Sequence, residues 1–133
     1  MNKIFIDTNI VVYYYTSTEP EKKRRAASLL LHFQSKISTQ VLSELANVLS
    51  KKYSFSWQQI ASVYKELTNL FDIVLIKPES VRKAIEISEQ YRYSYYDSLI
   101  LASALEAECS ILYSEDFQHG QIIEGMKIIN PFV

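Results

Sequence analysis

The sequence predicts a three-layer α/β/α domain whose central parallel sheet has about five strands. Short β-branched apolar runs alternate with longer segments of helical periodicity, the pattern of βα units that lay helices over both faces of a sheet. Among 133 residues only two are glycine and three are proline, which leaves little room for long irregular connections. That length suits one domain, residues 1–133, able to bury about two thirds of its unfolded surface without a disulfide or structural metal.

The elements follow in order. Residues 3–6, 36–38, 73–76, 110–113 and 127–129 are each too short and too β-branched to favour a helix, and so are expected as strands. A short helix is expected over 9–15. Thr18-Glu19-Pro20-Glu21 resembles a capping box and opens a helix running towards Phe33. A third helix covers about 40–52, with Val41, Leu42, Leu45, Val48 and Leu49 as its apolar stripe. Ser56-Trp57-Gln58-Gln59 opens a fourth, ending near Phe71. Pro78 suits the first turn of a fifth over 79–91. The sixth, over about 95–108, is apolar nearly all round and is therefore expected to be buried.

Composition narrows the function classes. At 48% hydrophobic and 22% charged residues, the chain is ordinary for a globular protein. One cysteine, Cys109, excludes an internal disulfide and a cysteine zinc cluster. Ile4-Phe5-Ile6 is too short for a leader's apolar region, and no run approaches the roughly 20 residues that span a bilayer. A cytoplasmic protein without a membrane association is expected. The net charge of −1 is not that of a simple backbone binder of nucleic acid. Lys22-Lys23-Arg24-Arg25 is the strongest basic cluster and is expected to be a solvated helix face.

The carboxylates carry more information. Ligands of an open parallel α/β sheet bind beyond the carboxyl ends of its strands. Asp7 directly follows the first strand and Asp116 lies three residues past the end of the fourth, so both fall at that edge. Asp7-Thr8-Asn9 is equally a helix N-cap sequence, and Ser114-Glu115-Asp116 equally a polar loop. Glu44 lies at the border of its helix's apolar stripe, one turn from the same edge. Asp97 shares a face with Ile100, Leu101 and Ala104 on the buried helix, where an ionised carboxylate needs a partner or a metal. Ser94 three positions earlier offers a capping role instead, and the two roles are compatible. No cation accompanies these acids in sequence. No glycine-rich phosphate loop is present, and neither His32 nor His119 completes a nucleophilic triad. The simplest way to satisfy converging carboxylates is a hard divalent cation, Mg²⁺ or Mn²⁺, which takes oxygen ligands.

Phe5-Ile6-Asp7-Thr8-Asn9, Ser43-Glu44-Leu45, the run from Tyr96-Asp97-Ser98 to Ala104, and Leu112-Tyr113-Ser114-Glu115-Asp116-Phe117 together resemble the PIN-domain family, in particular VapC-like toxins of toxin–antitoxin pairs. The resemblance covers the whole chain. It implies a Mg²⁺- or Mn²⁺-dependent endoribonuclease that hydrolyses RNA to leave a 5′-phosphate and a 3′-hydroxyl. It also implies a small antitoxin partner and a homodimer. Asp7, Glu44, Asp97 and Asp116 match the family's acidic, metal-holding positions; Asn9 and Ser114 match its supporting polar positions. Ser114 stands where relatives often have threonine. Phe117-Gln118 stands where some relatives carry a further acid.

Two other classes compete. A PIN-like module that binds RNA or protein without cutting is opposed by the presence of all four acids. A phosphatase of another α/β fold would want Asp-x-Asp after the first strand, where this chain has Asp7-Thr8-Asn9. The ten tyrosines, with Tyr13-Tyr14-Tyr15 and Tyr91, Tyr93, Tyr95 and Tyr96 flanking the expected site, can stack bases but are expected mainly to fill core or interface.

Overall fold

The structure, a computed structural model, describes residues 3–32 and 35–133. Phe33, expected at the end of the second helix, lies outside the described residues. Six strands, β1 (Ile4–Ile6), β2 (Ser35–Ser38), β3 (Asp72–Val74), β4 (Ile111–Tyr113), β5 (Ile122–Ile123) and β6 (Met126–Ile129), form one sheet in the order β3-β2-β1-β4-β6-β5. All neighbours are parallel except the β5–β6 hairpin.

The helices are α1 (Thr8–Tyr15), α2 (Pro20–His32), α3 (Thr39–Lys51), α4 (Trp57–Leu70), α5 (Pro78–Tyr91) and α6 (Tyr95–Glu106). Right-handed crossovers from β1 through β2 to β3 run in one direction along the sheet, and the crossover from β3 to β4 runs back. They therefore lay α1–α4 on one face and α5–α6 on the other. The packing agrees: α1 lies against α2 and α3, α3 against α4, and α5 against α6. The three-layer α/β/α architecture is the one expected.

Five strands and all six helices stand where the sequence puts them, within a residue or two. The sixth strand, β5, was not expected. It returns on β6 through Glu124 and Gly125, both with positive φ (48° and 86°), the backbone of a two-residue type I′ turn.

Burial explains the order of the core. β1 is central and Ile4, Phe5 and Ile6 are all buried, as a parallel strand covered on both faces must be. Ser98–Ala104 of α6 are buried without interruption. Among the described residues no helix is long and apolar enough to cross a membrane.

One consequence positions everything that follows. The chain builds outward from β1 to β2 and β3, then returns to β4 on the other side of β1. The strand order thus reverses between β1 and β4, and a crevice opens beyond their carboxyl ends, the place where open α/β sheets bind ligands.

Candidate active site

Asp7 stands at the tip of β1 and caps α1. Its backbone N–H continues the β1–β4 ladder, donating to the Tyr113 carbonyl at 3.0 Å. The side chain is buried, 5% exposed. Oδ1 accepts from the Thr8 N–H at 2.7 Å, and Oδ2 accepts from the Ser114 hydroxyl at 2.7 Å. The cap and site readings of Asp7-Thr8-Asn9 are therefore both realised in one residue.

Ser114, wholly buried just past β4, does two things. Its hydroxyl donates to Asp7 and its oxygen accepts the Asp116 N–H at 3.0 Å. One side chain thus fixes both the β1 acid and the loop carrying the β4 acid. Asn9 reaches Asp116 from α1, its Nδ2 donating to Oδ2 at 3.5 Å. Glu44, half-buried on α3, accepts from the Thr8 hydroxyl at 2.7 Å through Oε1 and from Gln40 Nε2 at 3.4 Å through Oε2. Asp97 opens α6, where its N–H donates to Ser94 Oγ at 3.3 Å.

These residues line one cleft of about 270 Å³: Asp7, Thr8, Asn9, Glu44, Asp97 and Asp116, with Asn47, Val48, Tyr96 and Ile100 completing the wall. Among the described residues the lining contains no lysine, arginine or histidine. The electrostatic result is visible on Asp7, whose carboxyl is pushed up from 3.8 to about 7. Burial is the main cause. The hydrogen bonds from Ser114 and Thr8 oppose it, and the charges of Asp116 and Glu44 add to it. Asp116 is raised too, by burial of its carboxyl first and then by the charges of Asp97 and Glu115, although the residue as a whole stays exposed.

The four acids share the cleft without closing on one point. Among the described residues no three His, Cys, Asp or Glu side chains stand close enough together to hold an ion between them. Glu44 turns instead to Thr8 and Gln40, as expected of like charges lacking a counter-ion.

The structure changes two expectations in detail and gives His119 its place. Asp97 was expected to be the deeply buried acid, but it is half-buried in the first turn of α6 and the deepest acid is Asp7. His119 is exposed and its Nδ1 accepts the Asn130 N–H at 3.0 Å, so it fastens the turn after β4 to the end of β6. The basic cluster on α2 is not simply solvated. Lys22 pairs with Glu115 at 3.0 Å, Lys23 donates to the Tyr14 carbonyl and Arg25 to the Pro131 carbonyl; Arg24 is exposed.

Sequence reasoning did not single out Gln40 or Asn47, and it met Thr8 only in the Asp7-Thr8-Asn9 cap and Tyr96 only as one of the flanking tyrosines. The spacing of Gln40, Glu44 and Asn47 on one face of α3 was available as a signal. The Tyr96 backbone carbonyl accepts from Gln40 Nε2, 56 residues distant in the chain, at 3.0 Å.

The PIN domain family model matches residues 4–123. No curated protein sequence matches the chain. Among solved structures, a toxin–antitoxin complex from Klebsiella pneumoniae is similar with a TM-score of 0.75 and 23% identity, over 97% of this chain and 98% of that one. A sarcin–ricin loop cleaving toxin, VapC20 of Mycobacterium tuberculosis, is similar with a TM-score of 0.72 and 18% identity, over 86% of this chain and 90% of that one. DNA-bound VapBC from Salmonella typhimurium follows at 0.68 and 17% identity, over 96% and 97%. At these identities the structures speak to the fold.

Proposed function

This chain belongs to the PIN domain family, and from that premise we propose that it is a single-domain, Mg²⁺- or Mn²⁺-dependent endoribonuclease acting as the toxin of a toxin–antitoxin pair. The observation that carries the proposal is the buried Asp7. Its carboxyl is held near neutrality by burial and by Asp116 and Glu44, in a cleft whose lining offers no cationic side chain. An oxygen-only donor set of this kind suits a hard divalent cation, and such an ion would supply the missing positive charge.

Asp7, Glu44, Asp97 and Asp116, which stand apart in the metal-free cleft, would hold the ion once drawn together on it, with Asn9 and Ser114 positioning Asp116 and Asp7. When bound, the ion supplies Lewis acidity at the phosphodiester and charge to offset the leaving oxygen. The chain's own contribution is placement. Ser114 locks the Asp7 carboxylate to β4, Thr8 and Gln40 hold Glu44 across the cleft, and Val48 and Ile100 limit water in the wall. Hydrolysis adds a water oxygen to phosphorus and breaks the bond from phosphorus to O3′, and O3′ leaves protonated as the 3′-hydroxyl.

The structural neighbours include toxin–antitoxin complexes. They support a small antitoxin as partner, and the family supports a cytoplasmic homodimer. The direct test is incubation of purified protein with single-stranded and structured RNA in Mn²⁺, with and without excess chelator. Cleavage that stops on chelation is expected; undiminished cleavage in chelator overturns the metal role, and no cleavage of any RNA leaves a binding module. Induced expression should slow growth, and Asp7→Asn should relieve it.

A further inference from the structure

A second cleft, of about 510 Å³, adjoins the acid cleft and shares Glu44, Asn47 and Tyr96 with it. The remaining wall is neutral: Thr39, Gln40 and Ser43 from α3, Ile76 from the connection between β3 and α5, and Leu99 from α6. We propose that this second cleft is a nucleobase subsite, in which the Tyr96 ring stacks on an unpaired base next to the scissile phosphate while Ser43 and Asn47 meet its polar edge. The proposal rests on the ribonuclease reading above and names the part of the substrate held beside the acids.

Three observations select a base over other occupants. Tyr96 is 63% exposed with its ring edge-on to Tyr95, 5.2 Å between centroids, and of the exposed tyrosines Tyr64, Tyr95 and Tyr96 it is the one that lines this cleft. An aromatic ring left open at the border of a cleft is what base stacking uses, at about 1–3 kcal/mol per base. The chemistry of the wall is the second. Among the described residues no lysine or arginine lines the cleft, and Glu44 does, so a phosphate is disfavoured there. A flat neutral ring with a polar edge matches two aliphatic side chains, one tyrosine, one serine and one asparagine. The third is Gln40. Its Nε2 donates both to Glu44 and to the Tyr96 carbonyl, so one side chain sets the spacing between the acid and the aromatic. Its Oε1 is shut off from solvent and has no hydrogen-bond partner among the described residues, so it takes no part in the subsite.

The test reads binding, not cleavage. Fluorescein-labelled octauridylate, octaadenylate and an abasic ribose-phosphate octamer are titrated against the protein in excess chelator and followed by anisotropy. The parent should prefer the base-containing oligomers to the abasic one. Tyr96→Phe should keep that preference within about twofold, and Tyr96→Leu should reduce it about tenfold or more without changing abasic binding. Because Tyr96 is exposed, both variants are expected to melt like the parent. A parent with no preference for bases, or a Tyr96→Leu protein with the parent's preference, overturns the subsite. If the parent binds with the expected preference yet cleaves nothing in Mn²⁺, the nuclease reading falls and the subsite stands.

Discussion

Glu115 and Asp116 are consecutive acids with opposite surroundings. Glu115 turns towards α1 and α2, where Lys22 pairs with it at 3.0 Å and the Tyr13 hydroxyl donates to it. Lys22 also lies over the Tyr13 and Phe132 rings, 4.8 and 5.2 Å from their centroids. Asp116 turns into the cleft, where it meets Asn9 and the charges of three other acids. In the first region each charge is answered within the fold. In the second the polar groups orient the acids but nothing cancels their charge. The first arrangement is what stability alone produces; the second keeps charge for something that comes from outside.

The largest effect should come from the acid left most exposed to that imbalance. Asp7→Asn keeps an acceptor for the Thr8 N–H and nearly the same volume, but removes the charge. RNA cleavage in Mn²⁺ should fall by about a hundredfold or more, the equivalent of a few kcal/mol of electrostatic stabilisation. Stability should move the other way. The Asp7 carboxyl is held near 7 in the fold against 3.8 in its ordinary state, so between those values the folded protein binds a proton that the unfolded chain has released. Metal-free parent should therefore gain stability as pH falls from about 7 towards 4, by an amount on the order of a few kcal/mol, and lose it as pH rises. Asp7→Asn should remove that trend, and Mn²⁺ should suppress it in the parent. Thermal melts across pH would show a flat parent profile if the acid cleft carries no unbalanced charge.

Asp97→Asn addresses whether α6 belongs to the unbalanced region or only starts a helix. The Ser94 cap accepts from the residue 97 N–H and is untouched by the change. Metal-free stability should hold or rise, while Mn²⁺-induced stabilisation should shrink by about 1.4 kcal/mol for a tenfold loss of affinity. Identical Mn²⁺ shifts in parent and variant would leave Asp97 as a helix-start residue and reduce the proposed ligands to three.

The balanced region should respond in stability and hardly at all in chemistry. Lys22→Met leaves Glu115 without its cation but keeps the contact with the Tyr13 and Phe132 rings. With both partners only partly buried, the loss should be about 1 kcal/mol. Adding Glu115→Gln should recover part of it, and cleavage should stay within about threefold throughout. A collapse of cleavage in the Lys22 variant, without loss of fold, would show that Glu115 and Asp116 are one functional unit and erase the contrast between them.

What the sequence made legible follows the same division. β1 could be read because a central parallel strand is apolar on both faces, and Asp7 because it follows directly. β5 escaped because two residues carry no periodicity and its Glu124-Gly125 turn lacks the usual Asn-Gly or Asp-Gly signature. Asp7 and Asp116 were found by their relation to strand ends, and Glu44 and Asp97 by their places on helices, all of which are local properties. Their depth was not: Asp97 starts a helix buried from Ser98 to Ala104, yet Asp7 is the buried acid, because depth depends on which strand is central. The pairing of Tyr96 with Gln40 was invisible for a related reason. Their contact exists only because helices from opposite faces of the sheet, α3 and α6, start at the same edge.

The smallest effect should come from His119. A histidine three residues beyond Asp116 invites a role as proton carrier, and the sequence alone leaves that open. In the fold its Nδ1 is occupied by the Asn130 N–H, and the neighbouring Gly120 N–H donates to the Ile128 carbonyl. Both bonds tie this turn to the end of β6, and His119 does not line the acid cleft. His119→Ala removes one acceptor for an exposed ring, and Asn130 can turn to water. The cost should therefore stay below about 1 kcal/mol, a few degrees at most in melting temperature for a domain of this size. Cleavage should remain within about twofold of the parent, with the same dependence of rate on pH. A large drop in rate together with a lost limb of the pH profile would place His119 in the chemistry, and the acids alone would no longer account for proton movement in the cleft.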